Sequence, residues 1–152
     1  MPSKNKKYVP KSFEADSTML GDTSANIYMS MLLSKAWQSL TSKQQILYIY
    51  CKAQYYAEKK KPQSNQEYFT FNQSKWNSLY GLYTLSNKRM FYRDMEQLIL
   101  KGFIKCIESG KNTRTKSVYA FSNKWKFYGE NGVEILPSEM TSAMLKKLKR
   151  DI

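Results

Sequence analysis

The sequence predicts an α+β domain in which helices come first and a small antiparallel sheet with a β-hairpin completes the order. Apolar residues recur at helical spacing over residues 30–59 and again over 87–101. Two short β-prone runs, 103–107 and 117–121, flank a polar loop that contains a glycine. The 152 residues, 41% hydrophobic and 14% aromatic, suffice for one packed core with appended arms.

Met31, Leu32, Leu33, Ala36, Trp37 and Leu40 predict a short amphipathic helix over 30–40. Thr41 followed by Gln44 has the form of a capping box, opening the longest helix, 42–59. Ile46, Leu47, Ile49, Tyr50, Ala53, Tyr56 and Ala57 form its expected apolar face, and Lys59, Lys60, Lys61 and Pro62 end it. Residues 68–71 suit a brief strand. Asn72 is then placed to cap a helix over 73–80 that buries Trp76 and Leu79 and stops at Gly81. Ser86 is expected to cap the next helix, 87–101, whose inward stripe is Phe91, Met95, Leu98 and Ile99. Gly102 stands where a left-handed residue ends such a helix. The aromatic residues Tyr48, Tyr55, Phe69, Phe71 and Tyr119 lie in apolar periods and are expected in the core rather than on stacking platforms for single strands.

Composition divides the chain into residues 1–24, a mobile basic arm; 25–128, the domain; and 129–152, a linker with a C-terminal amphipathic helix. Gly129, Gly132 and Pro137 mark the last boundary, and the helix is predicted over 138–150. Met140, Met144, Leu145 and Leu148 lie on one side of it, with Lys146, Lys147, Lys149 and Arg150 mostly on the other. Such a helix either packs back on the domain or makes a dimer or partner contact, with a basic rim able to touch DNA.

Lys and Arg number 25 against 12 Asp and Glu, a net charge of +13, which favours polyanionic partners. The excess is local. Residues 72–128 hold eleven basic and three acidic residues, and residues 1–11 hold four lysines and no acid. The chain has no histidine, which excludes imidazole bases, Ser-His-Asp triads and His-ligated metals. Cys51 and Cys106 form no CxxC pair, so neither a metal site nor any cofactor is expected, and both read as buried reduced thiols. No apolar run is long enough to span a bilayer, and residues 1–11 lack the apolar stretch of a secretory signal, so no membrane partner and a cytoplasmic location are expected. No catalytic residue is assigned, since Asp94 and Glu96 point to different helix faces and a tyrosine nucleophile would lack its supporting cluster.

The order helix, helix, strand, short helix, turn, helix, strand, basic loop, strand resembles the winged helix-turn-helix family, most closely over residues 69–121. Lys101, Gly102, Phe103 and Ile104, following an amphipathic helix, look like the exit from a recognition helix into a wing. A narrower resemblance rests on Ile27, Tyr28, Met29 and Ser30, on Leu33, Ser34, Lys35, Ala36 and Trp37, and on the run from Leu40 through Tyr48. It is to small winged-helix proteins of Gram-positive conjugative plasmids and integrative elements. That likeness implies a replication-associated protein, a regulator of transfer genes, or an accessory factor at an origin of transfer or replication.

A recognition helix presents its N-terminal residues to base edges in the major groove. Here these are Asn87, Lys88 and Arg89, with Arg93 one turn on; arginine pairs with guanine and asparagine with adenine in bidentate fashion. Lys111, Arg114 and Lys116 in the wing loop are expected on phosphates or in a minor groove. Gln73, Ser74 and Lys75 open the preceding helix where backbone N–H groups can meet a phosphate, and Lys4, Lys6, Lys7 and Lys11 add phosphate contacts from the arm. If about six to eight cations engage, log K should fall with log salt at a slope of roughly −5 to −7. The expected function is therefore sequence-dependent binding of double-stranded DNA without enzymatic activity, with a homodimer or other transfer and replication proteins as further partners. Two other classes fit the same composition: a protein-interaction winged helix that meets an acidic partner, and a single-strand or RNA binder.

Overall fold

The structure, a computed structural model, describes residues 25–58, 68–70, 81–108, 117–129 and 133–151. Over those residues it is α+β, with a three-stranded antiparallel sheet. The helix expected over 30–40 is instead two: α1 (Met29–Leu32) and α2 (Lys35–Ser39). Ser34 makes the break. Its backbone is extended, its Oγ accepts from the Trp37 N–H at 3.2 Å, and it donates to the Met31 carbonyl at 2.6 Å. One hydroxyl thus closes the first helix and caps the second, while Met31, Ala36, Trp37 and Leu40 still reach the core and Leu33 is left outside.

α3 (Ser42–Glu58) begins at the predicted capping box. The Gln44 N–H donates to Thr41 Oγ1 at 3.2 Å, and the Thr41 N–H donates to Gln44 Oε1 at 3.1 Å. Its buried stripe is Gln44, Leu47, Tyr48 and Cys51. Ile46 and Ile49, expected on the apolar face, are exposed, because at 3.6 residues per turn they fall on the side opposite that stripe.

β1 (Tyr68–Thr70), β2 (Ile104–Glu108) and β3 (Val118–Phe121) form the sheet in the order β1-β3-β2, with β3 central. Phe69 pairs with Tyr119, Ile104 with Phe121 and Cys106 with Tyr119, which brings their side chains to one face. A register irregularity between Cys106 and Glu108 accompanies an exposed Ile107. Phe69 stacks on Phe121 with ring centres 4.9 Å apart, and Tyr48 of α3 meets Phe121 edge-on at 6.0 Å, so α3 and the sheet share one aromatic core.

A 3₁₀ turn (Leu85–Asn87) leads into α4 (Lys88–Leu100). Ser86 therefore does not cap the helix: it lies inside the turn, its Oγ 3.1 Å from Thr84 Oγ1, and Asn87 occupies the cap position without a side-chain cap bond. Phe91, Met95, Leu98 and Ile99 face inward as expected. The helix ends in a Schellman motif, with the Phe103 N–H on the Leu98 carbonyl and the Gly102 N–H on the Ile99 carbonyl, both at 3.0 Å. Gly102 has φ +86°, and a Cβ there would lie 2.4 Å from the Trp125 nitrogen, so conformation and space both require glycine. Trp125, in a 3₁₀ turn (Lys124–Phe127), stacks on Phe103 with centres 6.2 Å apart.

The C-terminal helix is shorter than predicted. Pro137–Glu139 forms its own turn beside β2, Thr141 caps, and α5 runs over Ser142–Arg150. Met140 and Thr141 have extended backbones, which separates the turn from α5, and Glu139 holds the turn: its carboxylate accepts from Lys124 Nζ at 2.6 Å and from the Leu136 N–H at 3.0 Å. Met144 is buried in the core, whereas Leu148, expected on the same side, is exposed. Among the described residues no helix is long and apolar enough to cross a membrane.

Candidate nucleic-acid interface

α4 has two faces of opposite character. The inner face holds the apolar stripe and one carboxylate, Asp94, which is buried. Gln44 Nε2 donates to Asp94 Oδ1 at 3.1 Å, and the Tyr83 hydroxyl donates to Oδ2 at 2.5 Å. The start of α3, the segment before α4 and α4 itself are thus tied at one carboxylate. Burial first, and then the hydrogen bond and charge of Asp94, push the Tyr83 phenol well above its ordinary range, so it stays a neutral donor.

The outer face carries the candidates for base contact. Asn87, Lys88, Arg89 and Arg93 are all exposed, and the first turn of α4 contains no acid. Asn87 is free of the capping bond that its position suggested. Cations at this end oppose the helix dipole, so they add nothing to helix stability. They leave a surface suited to an anion.

Beside this face lies an open groove of about 320 Å³ between the start of α3 and α4, lined by Thr41, Lys43, Gln44, Met90, Arg93, Asp94 and Gln97. Lys43 was not among the candidates. It is exposed, with its ammonium 4.6 Å from the centre of the Tyr83 ring, and it shares the groove with Arg93. Nothing local to Lys43 signals this position, because its segment is nearly neutral and it is the packing of α3 on α4, with the Gln44–Asp94 bond, that brings it there.

The remaining candidates, Gln73, Ser74, Lys75, Lys111, Arg114, Lys116, Lys4, Lys6, Lys7 and Lys11, lie outside the described residues, as do Trp76, Leu79 and Phe71 and the side chain of Tyr55. β2 and β3 flank the segment that holds Lys111, Arg114 and Lys116. Cys51 and Cys106 are buried thiols, and burial drives the Cys51 thiol far above its ordinary range, so it remains protonated. Comparison of the chain with family models, with curated proteins and with solved structures finds no match.

Proposed function

We propose that this chain is a non-enzymatic winged-helix protein that reads duplex DNA with the outer face of α4. The observation that carries the reading is the division of α4: a buried, mainly apolar inner face, and an outer face whose start presents Asn87, Lys88, Arg89 and Arg93 with no acid in the first turn. Arg89 and Arg93 read guanine edges, and Asn87 and Lys88 supplement them. Lys43 holds a phosphate beside Arg93, while Lys111, Arg114 and Lys116, between β2 and β3 in sequence, and Lys4, Lys6, Lys7 and Lys11 supply further backbone contacts. The sequence likeness of residues 27–48 to proteins of conjugative plasmids and integrative elements supports a role at an origin of transfer or replication, or in control of transfer genes.

Selection from a randomised duplex library at about 0.15–0.2 M salt, with excess competitor, tests the reading where charge alone binds weakly. An enriched motif supports it, and inverted symmetry in the motif indicates a dimer. Absence of enrichment from the folded protein rejects it. One observation favours a second reading, a protein-interaction module: Tyr28, Met29 and Leu33 are each about two-thirds exposed, at 71%, 66% and 67%, a concentration of apolar surface remote in sequence from the cations of α4.

A further inference from the structure

α5 has a seat that four of its neighbours fix. Met144 is buried in the core, and the Thr141 hydroxyl caps the helix by accepting from the Met144 N–H at 3.3 Å. Just upstream, Pro137–Glu139 packs beside β2 and is held by Lys124. Lys147 Nζ then reaches Glu96 of α4, at 3.0 Å from one carboxylate oxygen and 3.4 Å from the other. Glu96, only partly exposed, falls on the same helical stripe as Arg89 and Arg93, so Lys147 ties α5 to the face that carries them. Asp94 being buried, Lys147 pairs with the other carboxylate of α4 and offsets a negative charge on the helix that carries those arginines.

Lys146, Lys149 and Arg150 have no part in this seat. All three are exposed, and none forms an ion pair among the described residues. The helix dipole favours a cation in the last turn, but it does not call for four cations within five positions and no acid inside the helix. On the other flank of α4 is the groove with Lys43. At 3.6 residues per turn, Glu96 stands about 100° or more around α4 from Gln97 and Asp94, so Arg89 and Arg93 lie between two cationic flanks. A helix seated in a major groove has a phosphate chain on either side of it, about 12 Å apart.

We infer that α5 is a second backbone-binding element, whose Lys146, Lys149 and Arg150 grip the phosphates of one strand while Lys43 meets the other. The inference rests on the proposal that α4 enters the groove, and it adds the partner surface of the C-terminal helix: the sugar-phosphate edge of duplex DNA. An acidic protein partner for the same cations is the competing occupant. It lacks the flanking geometry that two phosphate chains would satisfy.

The test uses the full chain carrying Lys146→Gln, Lys149→Gln and Arg150→Gln together, with thermal unfolding to verify that the fold is kept. Its affinity for a short duplex of mixed sequence is measured against salt, beside the wild-type chain. The expected result is a slope shallower by about 2–3 and an affinity about ten- to a hundredfold lower near 0.15 M salt. Replacing the same three positions with the other basic residue, Lys146→Arg, Lys149→Arg and Arg150→Lys, should preserve both. An unchanged slope overturns the inference, and so does tighter binding, which would mean that α5 holds DNA away from α4. Base preference, measured on the same proteins, separates this outcome from failure of the wider reading. Lost preference in the wild type would remove sequence reading by α4, while the slope comparison would still decide the role of α5.

Discussion

The two faces of α4 are built from the same thirteen residues and obey different physics. Inward, Phe91, Met95, Leu98 and Ile99 are closed off from water, and close packing with α3 and β2 determines what each position tolerates. Outward, Lys88, Arg89 and Arg93 are exposed, and none of them forms an ion pair among the described residues. The contrast teaches that stability and the proposed recognition are separable here at single-residue resolution. Substitutions on one face should move one property and leave the other in place.

Phe91→Ala should have the largest effect, a loss of about 3–5 kcal/mol in unfolding free energy, since it opens a cavity beside Tyr83 and Tyr92. Chemical denaturation reads this directly; a loss below about 1 kcal/mol would mean that the inner face is loosely packed. Asp94→Ala should come next, at about 2–3 kcal/mol, because the buried Gln44 amide and Tyr83 hydroxyl would both lose this acceptor. Asp94→Asn, which keeps the shape and one acceptor, should cost about half as much by the same measurement. If Asp94→Ala were neutral, the tie between α3 and α4 would have no energetic standing.

A smaller effect concerns acid. Burial raises the Glu139 carboxyl, but the Lys124 hydrogen bond, the Leu136 N–H and the charges of Lys124 and Lys105 outweigh it and hold the group below its ordinary 4.5. A carboxyl depressed in the folded state contributes stability at neutral pH that disappears as pH falls below 4.5 and through the folded value. Hydrogen exchange over residues 137–150 should therefore quicken on acidification below that point, before the inner face of α4 opens. Simultaneous loss of protection in both would mean that the turn at Glu139 is not an independent support of α5. Arg89→Ala should have the least effect on stability, within about 0.5 kcal/mol of wild type.

What the sequence made legible follows from range. The inner stripe of α4, the Thr41–Gln44 capping box and Gly102 are signals that begin and end within a turn or two of chain, and each stands where its spacing placed it. Local signals also misled where two of them competed. The apolar period over 30–40 hid the break that Ser34 makes, and Ile46 and Ile49 satisfied a broad helical period while lying on the wrong side of it. Long-range pairs left no trace. Gln44 and Asp94 stand 50 positions apart, and Glu96 and Lys147 stand 51 apart, so neither the buried carboxylate nor the place of α5 beside α4 was readable from composition or period. For the candidate interface, α4 was legible because its exposed cations follow from its buried stripe. Lys43 was not, because only tertiary contact brings it there.

The central claim, that the outer face of α4 reads base pairs, is tested most directly by one comparison. Wild-type protein and Arg89→Ala are titrated, near 0.15 M salt, against the selected duplex and against duplexes altered at one base pair each. The expected result is that the variant loses about 1–3 kcal/mol of discrimination at one base pair and keeps it at the others. An equal loss of affinity on every duplex would contradict the claim, and would make Arg89 a phosphate contact instead.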